Sequence, residues 1–171
     1  SLLILRGTEA TWYLYDARTL RPLRRLPMGG AVDPRWDARN PNLLHYVDET
    51  RLMVCDVRTG GTSLGRDFAA DFPGRKLASV STRYEGSPSL DGRIWGLMAR
   101  DEAWNAVAIL TYDQSTGRVI ATRDLKGAPD LDTVTISPLG TYLLAWFDYC
   151  KSGKGSPERP CGLMAYDRDL K

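Results

Sequence analysis

Histidine is the scarcest reactive residue in this chain, with His45 the only one among 171 residues. A histidine cluster for metal binding or proton relay is therefore excluded. Cysteine is sparse too. Cys55, Cys150 and Cys161 follow no zinc-site spacing, so no metal and no cofactor are expected. The longest apolar runs reach about seven residues, against the roughly 20 that a membrane-spanning helix needs. Charge of one sign is also missing. Lys plus Arg number 23 and Asp plus Glu 21, a formal net charge of +2, which supplies no basic field for nucleic acid or an anionic membrane. The phosphate-cradling pattern Gly-x-x-x-x-Gly-Lys is absent.

What is present is enough for one folded domain over residues 1–171. Hydrophobic residues make up 43% and charged residues 26%, a composition that can bury a core. The opening Ser1-Leu2-Leu3-Ile4-Leu5-Arg6-Gly7 has no initiator Met, no basic segment and no small-residue cleavage site, so it reads as the middle of something longer. Cys55 lies in an apolar run and reads as a buried thiol. Cys150 and Cys161 bracket a Gly- and Lys-rich loop between strands expected to pair. A disulfide there would close the loop and stabilise by about 3 kcal/mol. It would also imply an extracellular or periplasmic setting.

The chain repeats. Four apolar runs each end on aspartate: Trp12-Tyr13-Leu14-Tyr15-Asp16, Leu52-Met53-Val54-Cys55-Asp56, Ala108-Ile109-Leu110-Thr111-Tyr112-Asp113 and Leu163-Met164-Ala165-Tyr166-Asp167. These aspartates stand 40, 57 and 54 residues apart. Three continue as Asp-x-x-Thr, to Thr19, Thr59 and Thr116, and Gly60 and Gly117 follow two of them. Asp and Thr can bond turn backbone and Gly accepts positive φ, so hairpin turns are expected at 57–61 and 114–117. The strand after the turn ends alike in two units, Arg66-Asp67-Phe68 and Arg123-Asp124-Leu125, with Leu23-Arg24-Arg25-Leu26 similar in the first. Upstream of two aspartates come strand–turn–strand segments, Ser87-Pro88-Ser89-Leu90-Asp91-Gly92-Arg93-Ile94 and Ile136-Ser137-Pro138-Leu139-Gly140-Thr141-Tyr142-Leu143.

Four short antiparallel strands per unit of about 40–57 residues are the period and strand count of a β-propeller blade. The expected fold is all-β, with units at 1–26, 33–68, 86–125 and 133–171. The first unit lacks its innermost strand and the last its outermost, leaving about three and a half blades. Trp36, Trp95 and Trp146 occupy equivalent zones and are expected in the blade-to-blade core.

The segments at 136–143 and 89–93, with Tyr112-Asp113-x-x-Thr116-Gly117, resemble the TolB-type, WD-repeat-like β-propellers. The resemblance covers nearly the whole chain. Leu139 departs from the acidic or amide residue usual at its turn and should weaken it. An incomplete ring leaves strand edges unpaired, so the resemblance implies completion by the remainder of a longer chain, by a second copy giving seven blades, or by an irregular stack.

Two functions compete. A propeller can serve as a binding module whose loop face takes a protein or polymer. Alternatively the chain is part of a polysaccharide-active, oligogalacturonate-lyase-like enzyme. Arg83, Tyr84 and Glu85, with Trp104 and Asp132 on the same expected loop face, could hold an acidic sugar. Trp stacks on the ring, Arg neutralises the carboxylate, and Tyr moves a proton. His45, inside Leu43-Leu44-His45-Tyr46-Val47, is the remaining candidate base, and its alternative role is blade-interface packing.

Overall fold

A computed structural model describes residues 2–7, 11–29, 32–81, 88–125, 131–147 and 162–171. Four antiparallel sheets follow one another along the chain. The first comprises β1 (Leu2–Arg6), β2 (Trp12–Asp16) and β3 (Pro22–Leu26). The second comprises β4 (Val32–Trp36), β5 (Leu43–Asp48), β6 (Arg51–Asp56) and β7 (Thr62–Asp67). The third holds β8 (Leu77–Ser81), β9 (Ile94–Asp101), β10 (Ala106–Asp113) and β11 (Arg118–Asp124), and the fourth β12 (Leu131–Ile136), β13 (Tyr142–Phe147) and β14 (Gly162–Asp167). Every sheet is a meander, with strands adjacent in sequence adjacent in space. Among the described residues the only helical element is a single 3-10 turn, Phe68–Asp71. The all-β, blade-like fold expected from the repeat is the fold observed.

The strands follow from side-chain alternation. In β2, Leu14 faces the second sheet with Ile4 and Trp12, while Tyr13 and Tyr15 share the opposite face with Leu5 and Leu3. Strands β9 and β10 are instead apolar on both faces, because the third sheet is covered on both sides. Three apolar layers result. Leu14, Leu26 and Met28 meet Leu44, Tyr46 and Cys55 between the first two sheets. Val47, Leu52, Phe68 and Phe72 meet Leu97, Ala108, Leu110 and Tyr112. Met98 and Ile109 meet Val134, Leu143, Ala145 and Phe147. Burial pushes the Cys55 thiol pKa up, in line with its expected place in the core.

Turn chemistry is as the motifs suggest. The Asp16 carboxylate accepts from the backbone N–H of Arg18 at 2.9 Å and Thr19 at 2.7 Å. Asp56 accepts from Arg58 and Thr59 in the same way, and Asp113 from Ser115. The hairpins close at 57–61 and 114–117 as expected. Gly92 and Gly140, aligned in the sequence, both adopt φ +69°. Their turns differ in side-chain bonding, and Ser137 Oγ accepts from Thr141 and Tyr142 N–H in the second. Ser89 Oγ donates to Asp91 at 2.6 Å, a bond that Leu139, 85% exposed, cannot replace in the sister turn.

Two expectations need correcting. The third sheet does not open at residue 86. It begins with β8 at Leu77, and residues 88–93 form the turn into β9. Pro88 has no N–H to give a ladder, and Gly92 N–H and Ile94 N–H bond to Ser89 locally. Trp146 is not in the core either. It is 44% exposed, because its neighbours Ala145 and Phe147 take the inward face of β13. Trp95 is buried and Trp36 half-buried against an apolar layer, as expected.

Candidate functional site

Antiparallel meanders sort their connections by end. Links from strand one to two and from three to four leave each sheet at one end, here the turn end. Links from two to three, and onward to the next sheet, leave at the other, the loop end. Trp104, in the β9–β10 link, stands at the loop end. Asp132 lies near the same end, because its neighbour Leu131 pairs with Phe147 at the far side of the 137–141 turn. His45 sits toward the turn end, paired with Arg35.

Trp104 is 64% exposed and holds φ +65°, a left-handed conformation that a bulky side chain rarely adopts. Its loop is pinned from several sides. Trp104 N–H donates to Asp101 O at 2.9 Å, and the Asp101 carboxylate accepts from Ala103 N–H at 3.0 Å and Asn105 N–H at 2.9 Å. The buried Arg100 guanidinium donates to the Trp104 carbonyl, and also to Leu131 O on the fourth sheet at 2.8 Å. An indole is thus displayed to solvent on a braced loop, beside Asp101, exposed Glu102 and half-buried Asp132. Arg100 was not singled out from the sequence. A charged residue closing the apolar run Ile94-Trp95-Gly96-Leu97-Met98-Ala99 was the signal for it.

His45 has a different setting. It is 5% exposed, and its Nε2 lies 2.7 Å from Asp37 Oδ2 and 3.2 Å from the Gln114 amide nitrogen. Trp95 stands edge-on to the imidazole with centroids 6.2 Å apart. Gln114 and Trp95 belong to the third sheet, so His45 ties two sheets together. Burial disfavours the charged form of Asp37, but the bonds from His45 and from Arg39 and Asn40 N–H outweigh it and hold the carboxyl below its usual range. His45 Nδ1 is buried with no hydrogen-bond partner. This is packing with two polar contacts on Nε2, not an imidazole open to substrate. Asp37 and Gln114 were missed because neither is near His45 in a motif, and Gln114 is 69 residues away.

Among the described residues, Trp104 and Asp132 are not brought into one cleft with His45. Trp104 and Asp132 share the loop end, whereas His45 contacts Trp95 near the start of β9, about 17 Å from its loop end by strand rise. Arg83, Tyr84 and Glu85 lie outside the described residues, as do Cys150 and Cys161. Among the described residues no group of three His, Cys, Asp or Glu could hold a metal ion. No helix of the described residues is long and apolar enough to cross a membrane.

No protein-family model matches the chain, and no curated protein matches it. Among solved structures it is similar to a WD40 propeller chain in the crystal structure of a mitotic checkpoint complex, at 12% identity and a TM-score of 0.55. The likeness covers 96% of this chain and 46% of that one, so this chain spans about half the length of the propeller it matches. At that identity the likeness concerns the fold alone, and it agrees with the four successive sheets.

Proposed function

We propose that this chain is part of a WD-repeat-like or TolB-type β-propeller that works as a protein-interaction module, with the loop end as its contact surface. The carrying observation is Trp104. An exposed indole on a loop braced by Arg100 and Asp101 loses little freedom on binding, which is what an anchor residue needs. Asp101 and Glu102 beside it favour a partner segment with a basic side chain. The similar propeller belongs to a protein complex, which supports the same class of role. The remaining blades come from the rest of a longer chain. A Cys150–Cys161 bridge, and the extracellular or periplasmic setting it implies, is a separate proposal that a free-thiol count on the unfolded, non-reduced protein decides.

The test is capture from the source cell, followed by titration of one purified partner against wild type and Trp104→Ala. A loss of tenfold or more in affinity, with unchanged circular dichroism, supports the reading. Equal affinity removes Trp104 from it. The alternative, a polysaccharide-active enzyme, needs Arg83, Tyr84 and His45 to converge, and His45 is committed to Asp37 and the sheet interface. Appearance of unsaturated uronide absorbance on incubation with polygalacturonate would reverse that preference.

A further inference from the structure

Successive sheets are joined by a recurring device. Each outermost strand carries an arginine two residues before an apolar one: Arg24 before Leu26, Arg66 before Phe68, and Arg123 before Leu125. Each arginine reaches the strand three–four turn of the next sheet. Arg66 Nη1 donates to Gly117 O at 2.7 Å, and Arg123 Nη1 to Leu170 O at 3.1 Å. Arg24 lies against Gly60 so closely that a β-carbon there would come within 3.0 Å of its Nη1. The residue met is always the left-handed one of its turn, with φ +77° at Gly60, +67° at Gly117 and +61° at Leu170.

The first sheet has the same turn. Leu20 holds φ +55° and its N–H donates to Asp16 O at 2.8 Å, as Gly60 N–H does to Asp56 O at 2.7 Å; Leu170 N–H donates to Asp167 O at 2.9 Å in a turn one residue shorter. Leu170 is 4% exposed in the layer it shares with the third sheet, whereas Leu20 is 65% exposed. The residue before each turn aspartate repeats the contrast. Cys55, Tyr112 and Tyr166 are buried against the preceding sheet, and Tyr15 is only half-buried. Leu3, Leu5 and Tyr13 share the open face with Tyr15.

We infer that this face of the first sheet, with the Leu20 turn, is the docking surface for one more blade of the same repeat, supplied by chain upstream of Ser1. The blade's outermost strand carries an arginine, two residues before an apolar residue, that donates to the Leu20 carbonyl. The inference rests on the reading of the chain as part of a larger propeller. It follows from continuity with the three interfaces already present. A second copy of residues 1–171 fits less well, because its free end is the three-stranded fourth sheet, whose outermost strand and arginine are not in the sequence. Within the chain the arginine precedes the next turn aspartate by 32, 47 and 44 residues. The missing one therefore lies about 17 to 32 residues before Ser1.

The test has two parts. The coding sequence upstream of Ser1 is read for the arginine and its apolar partner. Leu20→Cys, in a background with Cys150 and Cys161 replaced by Ser, is then labelled with a maleimide in residues 1–171 and in the upstream-extended protein, with buried Cys55 as the internal reference. The expected result is the motif in place and labelling of Cys at position 20 slowed at least tenfold by the extension. An upstream propeller unit without the arginine, or unchanged labelling, overturns this inference and leaves the larger-propeller reading standing. A protein of residues 1–171 that is dimeric and already protected at position 20 assigns the face to a second copy and overturns it. An upstream sequence with no blade at all removes both.

Discussion

Leu20 and Leu170 are the left-handed residues of two corresponding turns, that of Leu170 one residue shorter, yet Leu20 is 65% exposed and Leu170 only 4%. The difference is what lies against them. Leu170 packs into the third sheet and its carbonyl takes the Arg123 guanidinium, while the Leu20 turn faces away from the other three sheets. The pair separates the intrinsic cost of the backbone from the gain of burial. Leu170→Ala should destabilise by about 2–4 kcal/mol in urea unfolding, as buried leucine truncations do. Leu20→Ala should change stability by less than about 0.5 kcal/mol. Leu20→Gly should be neutral or stabilising by up to about 1 kcal/mol, since glycine accepts positive φ without strain. Equal losses at both positions would contradict the packing described.

Arg66 should matter more than a surface charge. It makes a bidentate pair with Asp71 and donates to Gly117 O on the next sheet. Arg66→Ala leaves a half-buried carboxylate and a carbonyl short of a donor, for an expected loss of about 1–3 kcal/mol. Arg66→Lys should recover only part, because an ammonium cannot serve both acceptors in the planar geometry of the guanidinium. A lysine variant as stable as wild type would show that charge alone is needed.

Stability should fall in acid partly through Asp113. The paired Arg93 guanidinium, against some burial, and then Ser115 hold its carboxyl far below the ordinary value of 3.8. A carboxyl held lower in the folded state contributes stability that is complete above its unfolded pKa and is lost as pH falls through the folded value. Asp113→Asn should therefore be less stable than wild type at pH 6, with the gap shrinking below about pH 4. Denaturant midpoints at several pH values check this, and a gap that widens in acid would reject it.

Trp104 and His45 should give opposite phenotypes. Trp104→Gly relieves a left-handed tryptophan, so stability should hold or rise by about 1 kcal/mol while partner binding is lost. His45→Ala should cost about 1–3 kcal/mol, because Asp37 Oδ2 loses its imidazole partner inside the sheet interface while Oδ1 keeps the Arg39 and Asn40 N–H groups, and should spare partner binding. Thermal unfolding and titration calorimetry on both variants separate display from support. Loss of binding in His45→Ala at intact fold would move the functional surface to the turn end.

The sequence by itself determined the all-β class, the four-unit repeat and the turn positions. Those properties are written in contiguous residues. An aspartate bonds its own N–H groups two and three residues on, and apolar alternation selects the strand. Even so, Leu77-Ala78-Ser79-Val80-Ser81 was missed as a strand, because its small and polar residues carry weak alternation and only pairing with β9 makes it one. Tertiary structure alone decided which faces are covered. Trp146 and Trp95 look alike in sequence, but one ends on an open face and the other between two sheets. It also decided that His45 meets Asp37 and Gln114, and that Arg66 meets Gly117 across 51 residues. Such contacts depend on how each sheet lies on the next, which arises from buried side chains far apart in the chain and has no local pattern to read.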